Sequence, residues 1–147
     1  MRELLAEIQS VLREGLPYIR AGDIFISIDT EFFPNEVKFP CIGIKDGIIE
    51  RSEAASNMLE KTFSINISLF SHLPKKVATA LIGDATNKGI LDIEEDVHAL
   101  LDDHVFDRFD IVFCERSEPT QVLFVSESDI KMQKTLTYKF EGECKPR

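Results

Sequence analysis

The sequence has few cysteines, no long hydrophobic run and no excess of basic residues. Cys41, Cys114 and Cys144 lie far apart and form no Cys-x-x-Cys pair, which favours reduced thiols in a cytoplasm over a disulfide framework. No apolar run approaches the roughly 20 residues that a membrane span needs. The first residues also lack the apolar segment and cleavage site of a signal peptide. We therefore expect a protein that has no membrane partner.

The charge balance narrows the classes of partner further. The chain has 147 residues, a hydrophobic content of 44% and a formal net charge of -9. An acidic surface disfavours broad contact with nucleic acid or an anionic membrane, because both attract Lys and Arg. The length predicts one domain over residues 1–147 with a single core, and we expect no specific nucleic-acid binding.

The clearest pattern is an alternating stretch from Thr62 to Phe70. Apolar residues occupy every second position, and polar residues lie between them; the apolar positions are Phe63, Ile65, Ile67 and Leu69. Successive side chains of a strand point to opposite faces, so this stretch predicts a strand with one apolar and one polar face. Helices or a second sheet must cover the apolar face. We expect the rest of the chain to be organised around this strand.

The residues before this strand predict a helix and two shorter strands. A helical apolar stripe runs from Leu4 to Leu12 and ends at Gly15 and Pro17. The first short strand covers Asp23 to Ile28, with Ile24, Ile26 and Ile28 on one face and Phe25 on the other, and the second covers Phe39 to Ile44. The Asp-Gly pair in Lys45–Ile48 predicts a hairpin turn. Arg51–Asn57 shows no alternation and is expected to form an exposed excursion.

The residues after the central strand predict helices followed by three strands. Lys75–Ile82 fits a short helix, Gly83–Gly89 a turn-rich break, and Asp92 with Glu95 the capping box of a longer helix. The longer helix has an apolar stripe of Ile93, Val97, Leu100, Leu101 and Val105, with Glu94, Asp96 and Asp103 outside it. Strands follow at 111–114, 122–125 and 131–140, and Gly142–Arg147 is expected to be a tail. The order predicts an α+β fold, a mostly antiparallel sheet with two or three helices on one face.

One acidic motif suggests an enzyme. Asp29-Thr30-Glu31 follows an apolar strand and resembles the first motif of DnaQ-like 3′–5′ exonucleases, in which Asp and Glu hold two divalent metals. Further carboxylates are available at Asp102, Asp103, Asp107 and Asp110. No later segment matches the second or third motif of that family. A metal-dependent exonuclease that uses Asp29 and Glu31 is therefore the alternative hypothesis.

A second cluster has the spacing of a metal site. Glu95, His98 and Asp102 share one helix face and could hold zinc or manganese. The simpler interpretation, which we favour, is a solvated face on which His98 and Asp102 form a weak pair. Neither His72 nor His104 has a Ser or Cys nucleophile in a recognisable motif. The sequence thus predicts no catalytic residue, no metal ligand and no cofactor.

The order of the motifs resembles a phage family. Phe39–Gly47 is similar to the Pro-x-Ile-x-Ile-x-Asp-Gly entry strand of the tail terminator and tail completion proteins of tailed bacteriophages. Gly89–Val97 is similar to the Gly-Ile-Leu-x-Leu-x-x-Asp-Ile start of the long helix in the same family. The resemblance runs from the first helix to the last strand.

This resemblance implies a structural protein of the virion and not an enzyme. Such proteins are small α+β subunits that form a ring, usually six-fold, which caps the tail tube and faces the head connector. The expected partners are other copies, the tail-tube protein and the head–tail connector, in the host cytoplasm during assembly and then in the virion tail. Candidate interface residues are Phe32, Phe33, Arg51 and Asn57, although the two aromatic residues could instead cover the core. Another neck or tail-tube subunit is the related alternative.

Overall fold

The computed structural model describes residues 1–55, 57–73, 81–84 and 87–146, without the side chains of 54–55 and 143–146. The α-helices that lie wholly within these residues are α1 (Arg2–Gly15) and α2 (Ile90–Asp103), and a 3-10 turn covers Ala21–Asp23. The six strands are β1 (Ile24–Ile26), β2 (Cys41–Ala55), β3 (Met58–His72), β4 (Ile111–Ser117), β5 (Gln121–Phe124) and β6 (Ile130–Pro146). Residues 75–80 of the helix predicted over Lys75–Ile82 and residues 85–86 of the Gly83–Gly89 break lie outside the described residues, whereas residues 81–82 are helical.

The strands form one sheet in the order β1-β2-β3-β6-β4, and β5 pairs with β6 beside β4. Only the β1–β2 pair is parallel; the other described pairs are antiparallel. β3 lies in the middle of this order, as the alternating stretch predicts. Both helices pack on the same face of the sheet. The fold is therefore α+β.

The core lies between the helices and one face of the sheet. Alternate side chains of β2, β3 and β6 are buried there against Leu4, Ile8 and Leu12 of α1 and Ile93, Val97 and Leu101 of α2. The strand side chains of this core include Ile42, Ile44, Phe63, Ile65, Ile67, Leu69, Met132, Leu136, Tyr138 and Phe140. The predicted apolar faces of α1, β3 and β6 are confirmed. Val105 is an exception, because α2 ends at Asp103 and leaves this valine exposed.

The opposite face of the sheet is only partly covered. Phe25, Cys41 and Phe70 form a second, smaller apolar cluster on it. The loop between β1 and β2 contributes Phe33 and Phe39 to this cluster. No helix of the described residues packs on the rest of this face, which we call the open face.

The predicted first strand is too long. β1 ends at Ile26, and both Ile26 and Ile28 are exposed. The hydroxyl of Ser27 accepts a hydrogen bond from the Asp29 N–H at 3.3 Å and donates one to the Asp29 carbonyl at 2.8 Å. These local bonds form a turn that takes the chain off the sheet before the alternation can continue.

The predicted hairpin turn at Lys45–Ile48 is wrong, because β2 continues through it to Ala55. Asp46 is paired with Ile65 and Ile49 with Phe63, so one extra residue of β2 forms a bulge there. A side chain on Gly47 would place its Cβ 2.6 Å from the Ser64 carbonyl oxygen. The Asp-Gly pair therefore marks a close approach of two strands. Residues 51–55 belong to β2 and Asn57 to the turn before β3, so the predicted irregular excursion is wrong, but the predicted exposure of 51–53 and 57 is confirmed.

Two further boundaries differ from the prediction. α2 begins after Gly89, so Asp92 is its third residue instead of its cap, and Asp92 Oδ2 accepts the Gly89 N–H at 2.9 Å. At the other end of the chain, the predicted tail from Gly142 continues β6 to Pro146 beside β3. Gly142 has a φ of +107° and occupies a bulge that lets the strand pairing resume.

Candidate assembly surface

A three-stranded ribbon extends beyond the core at one end of the sheet. We define the ribbon as residues 48–55, 57–62 and 141–146, which pair in the order β2-β3-β6. None of the ribbon side chains that the structure describes belongs to either hydrophobic cluster. Arg51 is exposed opposite Lys61, and Asn57 is exposed in the turn at the tip. The ribbon therefore places two of the predicted interface residues on one outlying surface.

The other two predicted interface residues have different surroundings. Phe32 is exposed. The ring of Phe33 instead lies edge-on to Phe39 and Phe70, with centroid separations of 5.1 and 5.3 Å. Phe33 thus covers the second apolar cluster, as the alternative interpretation expects, whereas Phe32 faces outward.

The loop between β1 and β2, which carries Phe32 and Phe33, is hydrogen-bonded to β6 near its start and to the 3-10 turn near its end. The Gln133 side chain donates a hydrogen bond to the Thr30 carbonyl near its start. The Lys38 N–H donates to Asp23 Oδ1 at 3.1 Å near its end. Asp23 is buried, and the Arg20 guanidinium bonds both of its oxygens, at 2.7 and 2.9 Å. The hydrogen bond from Arg20 lowers the pKa of Asp23 despite burial, helped by the Lys38 amide, so this anchor is charged at neutral pH.

The acidic motif of the exonuclease hypothesis lies in this loop. Asp29 and Glu31 are both exposed, and Asp29 Oδ1 accepts the Glu31 N–H at 2.9 Å. Such a bond from an Asp side chain to the backbone two residues later is typical of a turn. Residues 102, 103, 107 and 110, which supply the other candidate carboxylates, are exposed as well. Among the described residues, no group of three or more His, Cys, Asp or Glu side chains is placed to hold a metal ion.

The predicted cluster on α2 does not converge on its histidine. His98 points toward the sheet, where Nδ1 is hydrogen-bonded to the Tyr138 hydroxyl and Nε2 lies 3.0 Å from Glu94 Oε2. Glu95 and Asp102 are exposed. The expected weak pair of His98 with Asp102 is therefore replaced by a pair with Glu94, one turn earlier on the helix.

Glu94 is the centre of a polar network that the sequence did not predict. It was expected to lie outside the helix stripe, yet its side chain is mostly buried beside Lys134 of β6, and Ser117 of β4 donates to its Oε2 at 2.6 Å. Burial alone would raise the pKa of Glu94, but the bonds from Ser117 and His98 and the charge of Lys134 lower it further than burial raises it. Burial raises the pKa of Tyr138. Glu94 is thus ionised and Tyr138 protonated at neutral pH. In these states their hydrogen bonds and the ion pair with Lys134 connect α2 to the sheet.

The open face carries a shallow groove of about 540 Å³ between β2 and β4. Its floor is polar, with Ser64 and Asn66 of β3 and Thr137 of β6, and the Thr137 hydroxyl donates to Asn66 Oδ1 at 3.1 Å. Ile48 and Gly47 form one wall, and Glu115 and Arg116 form the other. One wall belongs to β2 and the other to β4, so the groove crosses β3 and β6 between them.

The sequence was also compared with known proteins and searched for membrane-spanning helices. No helix in the described part of the chain is long and apolar enough to span a membrane. No protein-family model matches the sequence, and a search of curated proteins finds no similar one. The surfaces described above are therefore the basis on which we infer a function.

Proposed function

We propose that this chain is a structural subunit of a tailed-phage virion that caps the finished tail tube as a ring and joins the tail to the head. The observation that carries the proposal is the ribbon, together with its exposed Arg51 and Asn57. A strand ribbon whose described side chains lie outside both apolar clusters contributes little to the stability of its own subunit. Such an extension is expected where a neighbouring subunit covers it after assembly.

The charge of the chain supports the same proposal. A ring through which DNA passes should not hold phosphate groups, and a net charge of -9 gives the surface the sign that repels them. The similarity of the Phe39–Gly47 and Gly89–Val97 segments to tail terminator motifs supports it independently. The role requires no catalytic residue, cofactor or metal, and it places the protein in the host cytoplasm during assembly and in the virion tail afterwards.

The test is co-expression with the tail-tube protein encoded in the same genome, followed by negative-stain imaging of the tubes. We expect ring-shaped particles of the free protein and added density at one end of each tube. Arg51→Glu should reduce the fraction of capped tubes several-fold, while Arg2→Glu, an equal charge change on exposed α1, should not.

Three other results would contradict the proposal. Incorporation along the whole tube would identify a tail-tube subunit, and binding to the connector without tubes would identify another neck protein. A wild-type chain that forms no ring and binds no tube end would exclude the capping role.

A further inference from the structure

We infer that neighbouring copies join edge to edge: the outer edge of β2 in one copy pairs antiparallel with the outer edge of β4 in the next. The sheet would then continue from subunit to subunit around the ring. This inference rests on the proposed function, because it requires a closed ring, and it specifies which surfaces close that ring.

The first observation is that both edges are open. β1 pairs with β2 only from Ile42 to Ile44. From Asp46 to Ser52, the outer edge of β2 pairs with no strand in the described parts of the chain. In the same described parts, β4 pairs only with β6, so its outer edge is unpaired as well. The free N–H and C=O groups of an open edge are a template for a strand of another molecule.

The second observation is that the two edges lie at the same level of the sheet and run in opposite directions. Following the pairing across the sheet, one row contains Glu50, Thr62, Glu141 and Ile111, and another contains Asp46, Ile65, Tyr138 and Cys114. Three successive antiparallel pairs, β2–β3, β3–β6 and β6–β4, make β4 antiparallel to β2. Copies in a ring share one orientation about its axis. A rotation about an axis along the strands therefore brings β4 of one copy beside β2 of the next as an antiparallel pair.

The third observation is the chemistry of the two edges. Ile48 and Ile49 are 69% and 45% exposed on β2, and Ile111 and Phe113 are 52% and 38% exposed on β4. Lys and Pro commonly protect the edge strands of monomeric proteins, and neither residue type occurs in 46–52 or 111–117. Each edge contains a bulge, which bends the strand locally and increases its twist.

The inference is tested by placing the same charge on either edge. Ile48→Lys places a charge on the β2 edge and leaves the β4 edge unchanged, whereas Phe113→Lys places a charge on the β4 edge and leaves the β2 edge unchanged. We expect each variant alone to be monomeric in light scattering at concentrations where wild type forms rings. An equimolar mixture should form dimers and nothing larger. The unchanged β4 of Ile48→Lys can pair with the unchanged β2 of Phe113→Lys, whereas the two remaining edges would each bring a lysine to the contact. Val105→Lys, which changes an exposed valine beyond α2, should form rings as wild type does.

Hydrogen exchange of the wild-type protein gives a readout that does not depend on the variants. Amides within 46–52 and 111–117 should exchange at least tenfold more slowly in rings than in the diluted monomer. Rings that survive both lysine variants, a mixture that stays monomeric, or edges without added protection would overturn this inference and leave the capping role intact. A wild-type chain that remains monomeric with and without tubes would overturn both.

Discussion

The Lys134 ammonium of β6 lies 3.4 Å from Glu94 Oε1 of α2, and their side chains are 9% and 14% exposed. The same ammonium donates to the Glu118 carbonyl at 2.7 Å. The pair therefore connects the second helix to the last strand and to the connection between β4 and β5. A buried ion pair adds little over a well-packed apolar pair, but the loss of one partner leaves an uncompensated charge.

Glu94→Gln should therefore reduce the free energy of unfolding by about 2–3 kcal/mol, since Lys134 keeps one carbonyl partner and loses its counter-charge. Urea unfolding followed by circular dichroism measures this change. Glu95→Gln is the matched control, because Glu95 is the exposed neighbour on the same helix and its loss should cost no more than about 0.5 kcal/mol. Equal effects of the two substitutions would contradict a stabilising role of the Glu94–Lys134 pair between α2 and the sheet.

The contribution of Glu94 should also depend on pH in a defined direction. Its pKa is lowered in the folded protein from an ordinary value of 4.5, so the unfolded chain takes up the proton first as the pH falls. The stabilisation is complete above the ordinary pKa and is lost as the pH falls through the lower, folded value. The stability difference between wild type and Glu94→Gln should therefore shrink as the pH falls below about 4.5. A difference that grows as the pH falls through that acidic range would show that the sign is wrong.

The elements with a strong local signal could be predicted from the sequence. The alternation from Phe63 to Leu69 depends only on neighbouring residues, and it identified both the central strand and its buried face. Lys134 shows the limit of this reasoning. It occupies a core position between Met132 and Leu136, which indicates that it needs a partner, but the partner is Glu94, about forty positions earlier in the chain. No sequence spacing relates the two.

The glycines show a second limit. Asp46-Gly47 has the composition of a hairpin turn, and the difference between a turn and a bulge lies in whether the partner strand continues alongside. β3 does continue, so Gly47 bends a long strand and does not end it. The ribbon and the open edge of β2 follow from this non-local pairing. For the same reason, the sequence could suggest Arg51 and Asn57 as exposed but could not place them on a shared extension.

Gly142 gives a direct test of the bulge that carries β6 into the ribbon. A Cβ at this position would lie 2.7 Å from Asp110 Oδ2, and the φ of +107° disfavours any side chain. Gly142→Ala should therefore destabilise the protein by about 1–3 kcal/mol and speed hydrogen exchange in 57–62. Gly22→Ala is the control, because nothing lies within 4 Å of its added Cβ. If both alanines are tolerated equally, the bulge does not constrain the ribbon.

The adjacent residues Phe32 and Phe33 should separate folding from assembly. Phe33 packs edge-on against Phe39 and Phe70, so Phe33→Ala should lower the free energy of unfolding by about 2 kcal/mol, less than for a fully buried ring. Phe32 is exposed, so Phe32→Ala should change stability by less than about 0.5 kcal/mol and reduce tube capping if its ring contacts a partner. Urea unfolding and the fraction of capped tubes are measured on both variants. A destabilised Phe32→Ala protein would contradict the assignment of Phe32 to the outer surface. A stable variant with unchanged capping would remove Phe32 from the interface and leave the ribbon as the contact.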